Sequence, residues 1–216
     1  EMCIRDRIKP YKKDYDYSYT LGFYPSFELV KYHKEAIQKV LIAEEALSSD
    51  GYFKLKSMLE DIPFLTNEKE FRKIAEKDND HVAVIFKKYQ EKLDENNPHV
   101  VLVNPSDQGN LGNIMRSMAA FSFKDLAIIT PAADRYNPKV IRSSMGSAFF
   151  VRQQTFSSFE EYLKAYPRKF YPFMLQTNRG LKSLELKESK YALVFGNEAR
   201  GLDLSLIHIS EPTRLQ

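Results

Sequence analysis

Val100-Val101-Leu102-Val103, running into Asn104-Pro105-Ser106-Asp107-Gln108-Gly109-Asn110-Leu111-Gly112-Asn113 and then into a helical pattern that reaches Phe123, is the stretch that decides the fold. Four consecutive apolar residues suit a strand covered on both faces, as in a parallel sheet. Pro105 cannot continue a ladder, so a loop opens at the carboxyl end of that strand. Leu111, Ile114, Met115, Met118 and Phe121 then recur at the spacing of a helix packed on a core. Arg116 falls off that stripe and shares a face with Asn113 and Ala120. Spacing alone leaves two readings of Arg116 open: a solvated surface arginine, or an anion and hydroxyl clamp beside a helix start. Gly109 and Gly112 lack the third glycine of a dinucleotide fingerprint, and no Lys-Ser/Thr phosphate loop is present, so a nucleotide-binding protein is the weakest alternative.

Outward from this stretch, strands and helices alternate. Leu126–Ile129 reads as a strand, about Pro138 to Ala148 as a helix, and about Phe150 to Thr155 as a strand. Ser157 with Glu160 opens a helix that carries Phe159, Tyr162, Leu163 and Tyr166 and stops at Pro167. Tyr171–Leu175 and Ala192–Phe195 complete the strands. The alternation predicts an α/β domain over 98–204 with a parallel sheet, and a ligand at its strand carboxyl ends. Asn110, Thr177 and Gly196 lie just past such ends.

Upstream, 22–90 reads as a smaller α/β unit. Phe27–Lys34 is a candidate helix and Val40–Ile42 a strand; Tyr52, Leu55, Leu59 and Ile62 fall at helical spacing before Pro63. Asn67 with Glu70 starts the next helix, and Val82–Phe86 is a strand. A charged, amide-rich linker over 91–97 joins the two units. Lys9, Lys12 and Lys13 among Tyr11, Tyr15, Tyr17 and Tyr19 form a basic arm over 9–21; its rings either stack on bases or pack on the domain.

Composition excludes little. The 216 residues carry a net charge of +3, which permits an RNA partner without requiring one. No apolar run has membrane-spanning length and the opening residues lack a signal-peptide core, so the expected location is the cytoplasm. Residues 1–8 and 205–216 read as adapter-like ends. With Cys3 and His208 set aside in those ends, His33, His81 and His99 are scattered and no metal site is expected.

Three stretches in order carry a resemblance. Gly109–Phe121, Val140–Phe149 and Leu193–Leu202 resemble the first motif, the middle segment and the second signature of the TrmH-like (SpoU) branch of the SPOUT RNA methyltransferases. The resemblance implies a trefoil-knot α/β catalytic domain preceded by a small ribosomal-protein-like RNA-capture domain. It implies methyl transfer from S-adenosylmethionine to a ribose 2′-hydroxyl of tRNA or rRNA, and a homodimer in the full-length parent. By position, Asn110, Arg116 and Glu198 match its catalytic residues. Thr177, Gly196, Asn197 and Gly201 fall to the cofactor, while Lys139, Arg142 and Ser144 fall to RNA. Asp107 departs from the family's usual asparagine, and its carboxylate would repel phosphate unless paired. The family's third motif, Ile-Pro-Met and then Ser-Leu-Asn, does not follow Leu202-Asp203. The expectation is that the knot tail is missing and these residues alone are inactive. The alternative is a non-catalytic RNA-binding module.

Overall fold

A computed structural model describes residues 8–77, 80–174 and 189–202. Thr177 and residues 205–216, read above as adapter-like, lie outside the described residues. The chain divides into two compact units. The first comprises the chain up to Tyr89 together with Asp134–Phe150; the second comprises Gln90–Ala133 and the chain from Val151 on.

In the first unit, β1 (Tyr17–Tyr19), α1 (Phe23–His33), β2 (Ile37–Ile42), α2 (Asp50–Met58), β3 (Phe64–Leu65), α3 (Glu68–Ile74) and β4 (Val82–Lys87) follow in order. The strands form a four-stranded sheet in the order β1-β4-β2-β3. It is mixed: β2 is parallel to β3, and β4 is antiparallel to β1 and β2. The period of two divides the strands between two cores. Val40, Ile42, Val84 and Phe86 join Leu29 of α1 and Leu55 of α2, whereas Leu41, Ala83 and Ile85 join Phe71 of α3. Both faces are therefore covered, which is why Val82–Phe86 reads as an unbroken apolar run.

The tyrosine-rich arm packs on the domain. Tyr17 and Tyr19 are buried in β1, and Tyr15 stacks on Tyr17 with ring centroids 5.2 Å apart. The Tyr19 hydroxyl accepts from the Tyr11 amide at 3.1 Å. These rings are committed to the fold, so the base-stacking reading of the arm does not hold for Tyr17 and Tyr19.

The second unit opens with β5 (His99–Val103), α4 (Gln108–Ala120) and β6 (Asp125–Ile129). Asp134–Phe150 then packs with the first unit and carries α5 (Pro138–Ser143), whose neighbour Phe149 and own Ile141 join the α1 core. The pattern places this segment in the second domain; its contacts place it with the first. The expected helix to Ala148 stops at Ser143, because Met145 (φ 52°) and Gly146 (φ 84°) are left-handed. The chain returns with β7 (Arg152–Phe156), α6 (Phe159–Ala165), β8 (Lys169–Pro172) and β9 (Tyr191–Phe195). Phe121 is also corrected: it is 77% exposed, because the helix has already ended and its ring leaves the stripe of Leu111, Met115 and Met118.

The second sheet has five strands in the order β7-β6-β5-β9-β8, with every pairing parallel. From β5 the chain moves outward through β6 to β7 and then returns to the opposite side of β5. The order reverses between β5 and β9, where such sheets leave a crevice outside the strand carboxyl ends.

The amino ends are locked instead. Asp125, fully buried, accepts Arg152 Nε and Nη2 at 2.8 and 2.7 Å, the Asp94 amide at 2.8 Å and Asn97 Nδ2 at 3.0 Å. Burial alone would raise its pKa, and these donors outweigh burial to lower it. Beside it, His99 Nε2 donates to the Asp94 carbonyl at 2.8 Å while Nδ1 accepts from the Tyr162 hydroxyl at 3.0 Å. That arrangement needs a neutral ring, and burial pushes the pKa of His99 down to about 4. An unfolded histidine titrates near 6.5, so between about 4 and 6.5 the unfolded chain binds the extra proton. The contribution of His99 is therefore complete above about pH 6.5 and drains away as pH falls toward 4. Thermal melts across this window are expected to show a flatter loss of midpoint in His99→Gln than in the wild type; equal slopes would refute the assignment.

Candidate active site at the carboxyl ends of the parallel sheet

Past Val103 the chain must leave the sheet, and Asn104 does so with φ 53°, a conformation asparagine tolerates better than most residues. The Asn104 amide donates to the Ile129 carbonyl at 3.0 Å, and the Ala133 amide to the Pro105 carbonyl at 2.7 Å, so the loops after β5 and β6 are tied together. Asp107 then caps α4: its Oδ1 accepts from the Asn110 amide at 2.7 Å. Its negative charge sits at the positive end of the helix, which gives the departure from the family's asparagine a local role.

After β9 the chain closes a tight turn. The Asn197 amide donates to the Gly201 carbonyl at 3.1 Å, and the Gly201 amide returns to the Asn197 carbonyl at 2.8 Å. Asn197 Oδ1 accepts the amides of Ala199 and Arg200 at 3.0 and 3.1 Å. Gly201 has φ 71°, and a Cβ on Gly196 would lie 2.2 Å from the Gly201 carbonyl carbon. The turn therefore closes only with glycine at 196.

Two side chains of this turn knit it to the loop after β5. Asn197 Nδ2 donates to the Asn104 carbonyl at 2.8 Å and to Ser106 Oγ at 3.2 Å. Glu198 Oε2 accepts from Ser106 Oγ at 3.0 Å and from the Ser106 amide at 3.3 Å, and Oε1 accepts from the Asp107 amide at 3.3 Å. Partial burial would raise the pKa of Glu198; its own amide and those of Ser106 and Asp107, with the Ser106 hydroxyl, outweigh burial and lower it. The carboxylate stays ionised and holds the loop.

Between these loops lies a cleft of about 1000 Å³. Val103, Asn104, Ser106, Pro131, Ala132 and Ala133 line one part, and Asn197 and Ala199–Leu202 the other. It sits at the carboxyl ends of β5, β6 and β9, where the strand order reverses.

Of the residues picked from the sequence, Gly196, Asn197, Glu198 and Gly201 come together here. Asn110 is exposed in the first turn of α4, its amide held by Asp107. Arg116 is exposed with Asn113 and Ala120, makes no hydrogen bond or ion pair among the described residues, and is not among the residues lining the cleft. Lys139, Arg142 and Ser144 pack with the first unit. Lys139 is exposed. Arg142 pairs with the buried Asp80 and with Glu76 at 3.3 Å. Ser144 is corrected: it is fully buried, donating to the Ile141 carbonyl at 2.7 Å and accepting from the Ala148 amide at 3.2 Å, so it cannot meet RNA. Among the described residues no group of acids, histidines or cysteines is arranged to hold a metal. Asn104, Ser106 and Arg200 were missed from the sequence; an asparagine before proline at a strand end was the available signal for Asn104.

The model of the SpoU rRNA Methylase family matches residues 97–214. The 23S rRNA (guanosine(2553)-2′-O)-methyltransferase RlmP of Bacillus subtilis is 28% identical over 96% of this chain and 85% of its own length. The 23S rRNA (uridine(2479)-2′-O)-methyltransferase of Streptomyces viridochromogenes is 44% identical over 23% of this chain and 17% of its own. Among solved structures, the SpoU methyltransferase AviRb from Streptomyces viridochromogenes, in complex with AdoMet, has TM-score 0.78 at 20% identity, covering 93% of this chain and 80% of its own. An RNA methyltransferase of the TrmH family from Porphyromonas gingivalis has TM-score 0.73 at 18% identity, covering 93% and 79%. At those identities the structures speak to fold.

If Glu198 holds the loop, Glu198→Ala is expected to speed exchange of the Ser106 and Asp107 amides by about tenfold, the scale of one or two partly exposed charge-assisted hydrogen bonds. Protection in β5 and β6 is expected to stay as it was. Unchanged exchange at Ser106 and Asp107 would contradict the clamp.

Proposed function

The chain belongs to the SpoU rRNA Methylase family, and from that premise we propose that the full-length protein transfers a methyl group from S-adenosylmethionine to a ribose 2′-hydroxyl of RNA. Ribosomal RNA is the favoured substrate, since two of the relatives are named for acting on 23S rRNA. The observation that carries this reading is the clamp of Glu198 and Asn197, which joins the loop leading into the first motif to the second-signature turn at one cleft. A cytoplasmic location follows from the same proposal.

The cleft fits such a donor. Its volume, about 1000 Å³, lies at the upper end of small-molecule sites. Val103, Pro131 and Leu202 offer apolar wall for a purine, and an added Cβ at Gly201 meets nothing within 4 Å, so that backbone is open to a flat group. Asn104, Ser106 and the turn from Asn197 to Leu202 would hold the donor, which when bound supplies a methyl group on an already reactive sulfonium. The remaining work is orientation of the hydroxyl and stabilisation of its developing charge. A guanidinium keeps its proton at neutral pH, so in this proposal Arg116 stabilises the alkoxide and Asn110 helps to orient the ribose.

Arg116 is outside the cleft lining of its own chain. A homodimer that brings the exposed face of α4 to the cleft of a second copy would reconcile that position with its role, and we include the dimer in the proposal.

With the full-length protein and 23S rRNA from cells lacking the gene, label from S-adenosylmethionine is expected to appear as a 2′-O-methyl nucleotide. Arg116→Ala is expected to lower the rate by roughly a hundredfold or more, the scale of losing a charge-stabilising donor, with an unchanged melting midpoint. Wild-type protein that binds this RNA with strong salt dependence yet never labels it would favour the non-catalytic module.

A further inference from the structure

Among the described residues that line the cleft, Arg200 is the one that is ionisable. It is exposed, and no ion pair or hydrogen bond of its side chain is found among the described residues. The nearest acid in sequence, Glu198, has both carboxylate oxygens engaged by the Ser106–Asp107 loop and is turned to that task. Arg200 also springs from a fixed point. Its amide is held by Asn197 Oδ1 at 3.1 Å, and the paired main-chain bonds between Asn197 and Gly201 close the turn on either side. A cation anchored on a hydrogen-bonded turn that lines a cleft, without a carboxylate partner among the described residues, is built to meet an anion.

We propose that Arg200 is a substrate-positioning residue that grips the RNA phosphodiester next to the ribose being methylated. The inference rests on the methyltransferase reading of the same cleft. Charge selects the phosphodiester over the donor. S-adenosylmethionine carries a sulfonium and an ammonium against one carboxylate, so an unopposed guanidinium gains little from it. RNA is a polyanion, and its 3′-phosphate hangs from the carbon beside the one that bears the 2′-hydroxyl. Fixing that phosphate with a planar, two-pronged donor fixes the hydroxyl's approach to the cleft. Exposure agrees: a polymer reaches a rim residue more readily than a small donor seated inside.

The test uses the full-length protein, S-adenosylmethionine and in-vitro-transcribed 23S rRNA. Arg200→Gln is expected to raise KM for the transcript by about tenfold, the scale of one partly exposed charge-assisted contact, while KM for S-adenosylmethionine stays within about twofold. Arg200→Lys is expected to recover part of the loss, because it restores the charge without the fork. In binding of the transcript without donor, the salt slope is expected to fall by roughly 0.7 to 0.9 in Arg200→Gln, the share of one phosphate contact. A rise in KM for the donor with that for RNA unchanged would assign the anion to the donor's carboxylate and overturn the proposal, as would no change in either. If the wild type labels no RNA, the proposed activity fails, and the salt slope then decides Arg200 by itself.

Discussion

The contact on which the site depends is a carboxylate bridging two loops. Glu198 receives the Ser106 hydroxyl and the amides of Ser106 and Asp107, and Asn197 beside it reaches the Asn104 carbonyl. Each donor on the receiving loop would otherwise look for water, and the loop would keep only its ties to the loop after β6 and its cap on α4. With the clamp in place, the strand end of β5 and the turn after β9 become two walls of one cleft. A glutamate matched to a catalytic motif thus acts in this structure through the residues it holds.

The two ends of the parallel sheet divide the labour. At the amino ends, the buried Asp125 and the buried, neutral His99 are satisfied by Arg152, by the main chain of Asp94 and by their neighbours. Two buried groups paired in this way resist rearrangement, because removing a partner leaves the buried one unsatisfied. At the carboxyl ends the strand order reverses, the loops part, and polar groups face a cleft. Rigidity at one end lets the other present groups at fixed positions, on a turn that closes only because Gly196 has no side chain.

Much of this was legible in the residues. The apolar run Val100–Val103 announced a strand covered on both faces, and the stripe Leu111, Met115, Met118 announced the buried side of α4; both are found. The prediction of a parallel sheet with its cleft at the carboxyl ends rested on alternation alone and agrees with the structure. What failed were boundaries and partners. Phe121 fits the stripe by number, yet the helix ends first and turns it outward. Ser144 sits in a matching segment, yet its hydroxyl is spent on the backbone of its own turn. Short strands such as Tyr17–Tyr19 went unseen because a few tyrosines among lysines look like an arm until β4 pairs with them. Glu198 was legible as a motif residue; that it clamps Ser106 and Asp107 was not, since a contact across so many residues leaves no trace in local spacing.

If the clamped loops form the cofactor cleft, amide chemical-shift mapping of the full-length protein titrated with S-adenosylhomocysteine will locate the ligand there. The largest changes are expected at Asn104, Ser106, Asp107 and from Gly196 to Leu202. Changes confined to the amino ends of the strands, around His99 and Asp125, or no changes at saturating ligand, would contradict it.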